Sequence, residues 1–162
     1  MSEITYVRGD ATAPSAKGAK VIAHVCNDVG GWGKGFVLAL SRRWPEPEAA
    51  YRAWYRDRAR NDFGLGAVQL VRVGPDVRVA NMIGQRGTRT GSKGVPVRYE
   101  AIDTALDRLA AEVIELGASV HMPRIGCGLA GGRWSRVEPL ITERLVKRGI
   151  AVTVYDHGEG GG

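Results

Sequence analysis

Cysteine, phenylalanine and long apolar runs are scarce in this chain of 162 residues, and each scarcity removes a class of protein. The two cysteines, Cys26 and Cys127, stand far apart and form no C-x-x-C pair, so neither a disulfide framework nor a structural zinc site is indicated. No metal or cofactor is therefore expected. No stretch of about 18 apolar residues exists, and the start of the chain carries no charged-then-apolar leader. The expectation is a cytoplasmic, monomeric protein with no membrane partner. Aromatic residues make up only 7% and are not arranged as a base-stacking platform, which argues against a generic single-strand nucleic-acid binder. Internal repeats and long linkers are lacking too, so one domain is expected over 1–156, with 157–162 as a flexible tail.

Glycine is what the chain has in quantity, 23 residues gathered between apolar runs at Gly30–Gly35, Gly64–Gly66, Gly84–Gly94 and Gly126–Gly132. Such clusters mark backbone that turns sharply or approaches something closely. Charge is the second excess: 23 basic against 17 acidic residues, a formal +6. Arg52, Arg56, Arg58 and Arg60 lie on a predicted helix, where they read either as a solvated face or as a surface for a phosphate-rich partner.

Strand and helix patterns alternate along the chain. Ile4–Arg8, Val21–Val25, Ala67–Val73, Val77–Ile83, Ser119–Arg124 and Ile150–Tyr155 read as strands, the third and fourth as a hairpin around Gly74-Pro75-Asp76. Phe36–Arg43, Glu48–Arg60, Tyr99–Leu116 and Ser135–Arg148 read as helices, with Gly117 as a left-handed cap. This alternation predicts an α/β fold, a central mixed sheet with helices on both faces. Ligands of such sheets collect beyond the carboxyl ends of the strands. Two glycine segments fall there, Gly30–Gly35 after Val21–Val25 and Gly126–Gly132 after Ser119–Arg124, and each precedes a helix. Consecutive N–H groups at a helix start make an anion cradle. Neither segment has P-loop spacing, because Phe36 follows Lys34-Gly35.

Individual residues carry two readings each. Asn27 can bond a ribose hydroxyl or close an Asx-turn. Asp10 can accept an adenine amino hydrogen or cap the next turn. Cys127 is a nucleophile or a small packed thiol, and Tyr155 a base-stacking ring or a core ring.

Three strings in the chain resemble the macrodomain family: Ile4-Thr5-Tyr6-Val7-Arg8-Gly9-Asp10, Ala23-His24 with Trp32-Gly33-Lys34-Gly35, and above all Met122-Pro123-Arg124-Ile125-Gly126-Cys127-Gly128-Leu129. The branch most similar is that of the terminal ADP-ribose protein glycohydrolases and the DNA ADP-ribosyl glycohydrolases. The resemblance implies a three-layer α/β/α fold that binds ADP-ribose and acts on ADP-ribosylated proteins or ADP-ribosylated DNA. It implies that Gly9 and Asp10 meet adenine with Tyr155 nearby, and that Arg124, Ile125, Gly126, Cys127, Gly128, Leu129, Ala130 and Gly131 wrap the diphosphate. Asn27 with Gly33, Lys34 and Gly35 would flank the distal ribose, and Ala23, Ile83 and Gly84 would also contact the ligand. Enzymes of that branch use a lysine after the strand corresponding to Val77–Ile83 and an aspartate after the G-C-G-L string. This chain has Gly84-Gln85 and Ala130 there. Either Lys34 stands in for the missing lysine nucleophile, or hydrolysis needs no enzyme nucleophile and relies on water positioned by Asn27, Gln85 and the ligand's own phosphate. Gln85 can orient water, but it cannot serve as a general base. A non-catalytic reader of ADP-ribose and an ADP-ribose 1″-phosphate phosphatase are the other readings.

Overall fold

A computed structural model describes residues 3–89, 91 and 94–156; the expected tail at 157–162 and Lys93 of the Gly84–Gly94 loop lie outside them. Six strands are present, β1 Thr5–Arg8, β2 Lys20–Asn27, β3 Val68–Arg72, β4 Val77–Gln85, β5 Ser119–Met122 and β6 Val152–Asp156. Four helices connect them, α1 Phe36–Arg43, α2 Glu46–Arg56, α3 Tyr99–Leu116 and α4 Trp134–Arg144. The strands form one sheet in the order β1-β6-β5-β2-β4-β3. All neighbours are parallel except β3 and β4, which pair as the expected antiparallel hairpin from Val68↔Met82 to Arg72↔Arg78.

Period-two alternation sorts the strand side chains into two cores. Val21 and Ala23 of β2 with Ala80 and Met82 of β4 pack against α3 and α4, while Ile22, Cys26, Val79 and Ile83 face α1 and α2. The result is a three-layer α/β/α arrangement. Helix α3 supplies much of the larger core, burying Ile102, Ala105, Leu106, Leu109 and Ala110 completely. Each large aliphatic side chain among them contributes about 1.5–3 kcal/mol by leaving water.

Several element ends differ from the sequence expectation, each for a local reason. Strand β5 stops at Met122 because Pro123 has no N–H to extend the ladder. Helix α2 begins at Glu46, two residues early, since Pro47 in the first turn donates nothing that a helix needs. It ends at Arg56, and Arg58–Arg60 form a separate 3-10 turn. Helix α4 ends at Arg144; Val146–Arg148 tighten into a 3-10 turn and Gly149 at φ 82° reverses the chain towards β6. Strand β2 runs on to Asn27, which sets the geometry of the site.

Candidate functional site

Five parallel strands point their carboxyl ends to one side, so the segments that follow them meet: Gly9-Asp10 after β1, Asp156 ending β6, Pro123–Gly132 after β5, Asn27–Gly35 after β2 and Arg86 after β4. Between the β2 and β5 loops lies an open cleft lined by His24, Lys34, Gly35, Phe36, Gln85, Arg124, Ile125, Gly126, Gly128, Leu129 and Ala130 among others.

The loop after β5 is shaped by glycine. Gly126 and Gly131 adopt φ of 72° and 77°, which L side chains rarely tolerate. The Gly132 N–H donates to Gly126 O at 2.8 Å, and a Cβ on Gly132 would sit 2.3 Å from that same oxygen. The Gly131 and Val97 N–H groups donate to Gly128 O and Ala130 O. Among the described residues, the N–H groups of Gly126, Gly128, Leu129 and Ala130 have no acceptor in the protein. Opposite them, Gly35 at φ 82° caps α1, leaving the first-turn N–H groups of Phe36 and Val37 open at the cleft wall. Two sets of unpaired donors facing one cleft, with the positive end of a helix in one wall, favour an anion between them.

The loop after β2 is held by side chains. A bulge between Cys26 and Asn27 shifts the register so that Asn27 pairs with Gln85. Asn27 Oδ1 accepts the N–H groups of Val29 and Gly31, both at 3.0 Å, and its Nδ2 donates to Gly31 O at 2.8 Å. The Asx-turn reading of Asn27 therefore describes the structure, and its side chain is buried outside the cleft lining. The fully buried Tyr51 hydroxyl reaches the same group from α2. Asp28 Oδ1 accepts the Gly87 N–H at 2.8 Å, tying this loop to the one after β4. Gln85 lines the cleft with its Nε2 bonded to Gly87 O. Lys34 also lines it, exposed and without a hydrogen bond or ion pair among the described residues.

At the β1 end, Asp10 Oδ1 accepts the Thr12 N–H at 2.8 Å and the Thr12 hydroxyl at 2.7 Å, with the Arg43 guanidinium 3.7 Å from Oδ2. The turn-capping reading of Asp10 thus holds. The Tyr155 ring lies beside Gly9, 3.7 Å from where a Cβ would stand, with its hydroxyl 2.8 Å from His121 Nδ1. Arg124 forms a two-pronged pair with Asp156, at 2.6 and 3.1 Å, and lies over the Tyr6 and Trp134 rings. That bonding raises the Arg124 pKa and lowers that of Asp156, so both stay charged.

Several expected contact residues have other duties. Ala23 and Ile83 are fully buried, one in each core, so their side chains cannot reach a ligand. Gly84 accommodates α3, because a Cβ there would meet Ile102 at 2.7 Å. Gly33, Cys127 and Gly131 belong to the loops but not to the cleft lining. Burial pushes the Cys127 thiol up and Cys26 well beyond the ordinary range, which favours the packed-thiol reading. Burial also lowers His24 to about 4, so the imidazole beneath the cleft is neutral. Tyr51, Asp28 and Asp156 carried no signal of their own in the sequence; only the fold brings them to the loops.

No family model matches the chain. A macrodomain protein from Streptomyces coelicolor is 74% identical, covering 96% of this chain and 100% of that one, with a TM-score of 0.87. A protein of unknown function from Bacteroides thetaiotaomicron is 58% identical over 96% of this chain and 98% of its own, with a TM-score of 0.93. The chromodomain-helicase-DNA-binding protein 1-like of Danio rerio is 33% identical over 97% of this chain, which spans only 16% of that protein's length. An ADP-ribose 1″-phosphate phosphatase from Lodderomyces elongisporus is 26% identical over 94% of this chain and 99% of its own. A DNA ADP-ribosyl glycohydrolase from Thermus aquaticus is 27% identical over 94% of this chain and 41% of its own.

Proposed function

The chain belongs to the macrodomain family, and from that premise we propose that its cleft binds ADP-ribose and hydrolyses the bond joining ADP-ribose to a modified macromolecule. The observation that carries the reading is the pair of donor sets lining one cleft, the N–H groups of Gly126, Gly128, Leu129 and Ala130 and the start of α1, at the middle of the strand ends. A diphosphate fits there. Strand spacing of about 4.8 Å puts the β1 and β4 ends about 19 Å apart, enough for an extended ADP-ribose with adenine at Gly9-Asp10 and Tyr155 and the distal ribose at Gln85. Similarity to proteins named as a phosphatase of ADP-ribose 1″-phosphate and a DNA ADP-ribosyl glycohydrolase supports a hydrolase.

In this reading water adds to the anomeric carbon of the distal ribose while the bond to the leaving group breaks. An ester carboxylate departs as a stable anion, and a DNA base departs with a proton taken from solvent. Gln85 and the bound diphosphate orient the water, Lys34 offsets negative charge, and Asn27 acts indirectly by shaping the loop. A specific observation favours the rival, a non-catalytic reader: among the described residues no carboxylate lines the cleft, and the imidazole that does, His24, is buried with Nε2 bonded to Asn81.

Incubation with ester-linked ADP-ribosylated protein, ADP-ribosylated DNA and ADP-ribose 1″-phosphate separates these readings. Free ADP-ribose from the protein or DNA substrate is expected, and Lys34→Ala should slow release at most about fivefold, the size of one exposed charge contact. Release of phosphate alone would make the protein a phosphatase, no product from any substrate would make it a reader, and complete loss in Lys34→Ala would restore a lysine nucleophile.

A further inference from the structure

We propose that Tyr51, a residue of α2 that touches no ligand, is a positioning residue for the distal-ribose end of the cleft. The inference rests on the reading of the β2 loop as the ribose side of an ADP-ribose site. Tyr51 is fully buried, and its hydroxyl donates to Asn27, whose main-chain oxygen and Oδ1 lie at 2.7 and 2.8 Å. The Tyr51 hydroxyl oxygen itself accepts the Gly30 N–H at 3.1 Å. Asn27 in turn holds Val29 N, Gly31 N and Gly31 O. Two side chains thus fix the backbone of the turn that delivers Lys34 and Gly35 to the cleft.

The geometry leaves this turn little freedom of its own. Gly30 has φ 77°, and a Cβ there would fall 2.5 Å from the Tyr55 ring. Gly31 passes close enough that a Cβ would stand 3.0 Å from Asn27 Nδ2. The Tyr51 ring continues towards the cleft through Trp32, 5.4 Å away, and Trp32 meets His24 edge-on at 5.4 Å beneath the cleft floor. Burial pushes the Tyr51 phenol far above its usual range, so the hydroxyl keeps its proton near neutral pH. Tyr51→Phe keeps the ring stack and removes the one atom that joins Asn27 to Gly30.

ADP shares the adenosine and diphosphate of ADP-ribose but lacks the distal ribose, and so separates positioning from general support of the fold. Calorimetric titration of wild type, Tyr51→Phe and Val113→Ala, a core truncation in the opposite layer, supplies the comparison. Tyr51→Phe should weaken ADP-ribose roughly fivefold, the value of one net hydrogen bond, while ADP changes less than about twofold. Val113→Ala should weaken neither. Equal weakening of both ligands, or no weakening of ADP-ribose, overturns the proposal. If Tyr51→Phe does not fold, amide exchange in the wild type decides: ADP-ribose but not ADP should slow exchange at Gly30 and Gly31, and equal effects overturn it. All arms are binding measurements, so absence of turnover counts against hydrolysis and not against Tyr51.

Discussion

His24 and His121 are each 2% exposed, and burial lowers both to about 4. Asn81 Nδ2 donates to Gln69 Oε1 and Pro47 O, so its Oδ1 must accept from His24 Nε2–H at 2.5 Å. That tautomer leaves His24 no proton to exchange with a substrate near neutral pH. His121, between the Ser119 hydroxyl at 2.7 Å and the Tyr155 hydroxyl at 2.8 Å, is also held away from protonation by the nearby Lys20 charge. In the unfolded chain both rings take up protons near pH 6.5, whereas the folded rings resist to about pH 4. The unfolded state therefore binds more protons between those values. Stability is full above pH 6.5 and falls as pH drops towards 4, by roughly 3 kcal/mol for each ring. Thermal unfolding should show a Tm that falls steadily from pH 7 to pH 4.5. A Tm that stays flat over that interval would mean that the rings are not buried neutral.

The elements were legible where periodicity is dictated by burial. Helix α3 has the expected bounds, Tyr99–Leu116, because its apolar positions recur at helical steps and Gly117 at φ 62° closes it. The ends that moved are those governed by proline or by tertiary contacts, as at Pro47, Pro123 and Leu145. Both glycine loops were visible as loops. Their donor geometry was not, since it depends on which N–H groups the turns use internally. Gly132 provides the clearest lever on it. Alanine there forces a methyl group against Gly126 O and must open the turn that presents the donors. Gly132→Ala should weaken ADP-ribose by at least about tenfold, near 1.4 kcal/mol, and lower Tm as well, because Ile125 and Ala130 of the same loop pack in the larger core. Unchanged affinity would remove the β5 loop from the diphosphate site.

Across the whole molecule, the sheet order gathers segments that are remote in sequence. Gly9-Asp10 and Tyr155 come together because β1 pairs with β6, and Asn27 meets Gln85 because β2 pairs with β4. The strings around Gly33–Gly35 and Gly126–Leu129 made this end of the sheet readable before the fold was known. The internal supports, Tyr51 for Asn27, Asp28 for Gly87 and Asp156 for Arg124, were not readable, because a lone Tyr or Asp in a sequence does not disclose its partner. No helix among the described residues is long and apolar enough to cross a membrane. The formal +6 charge lies partly in Arg52, Arg56 and Arg58. Of these Arg52 pairs with Glu48, Arg56 lies 4.0 Å from Asp57, and Arg58 stacks over Tyr55. Arg52 and Arg56 are thus set against acids, while the ring contact of Arg58 leaves its charge in place. The ligand's placement is the claim on which the rest depends, and a structure with ADP-ribose bound tests it most directly. Diphosphate oxygens should lie about 3 Å from N–H groups among Gly126, Gly128, Leu129 and Ala130 and from the start of α1, with the distal ribose beside Gln85. A diphosphate found away from both loops, or a distal ribose at the β1 end of the sheet, would contradict it.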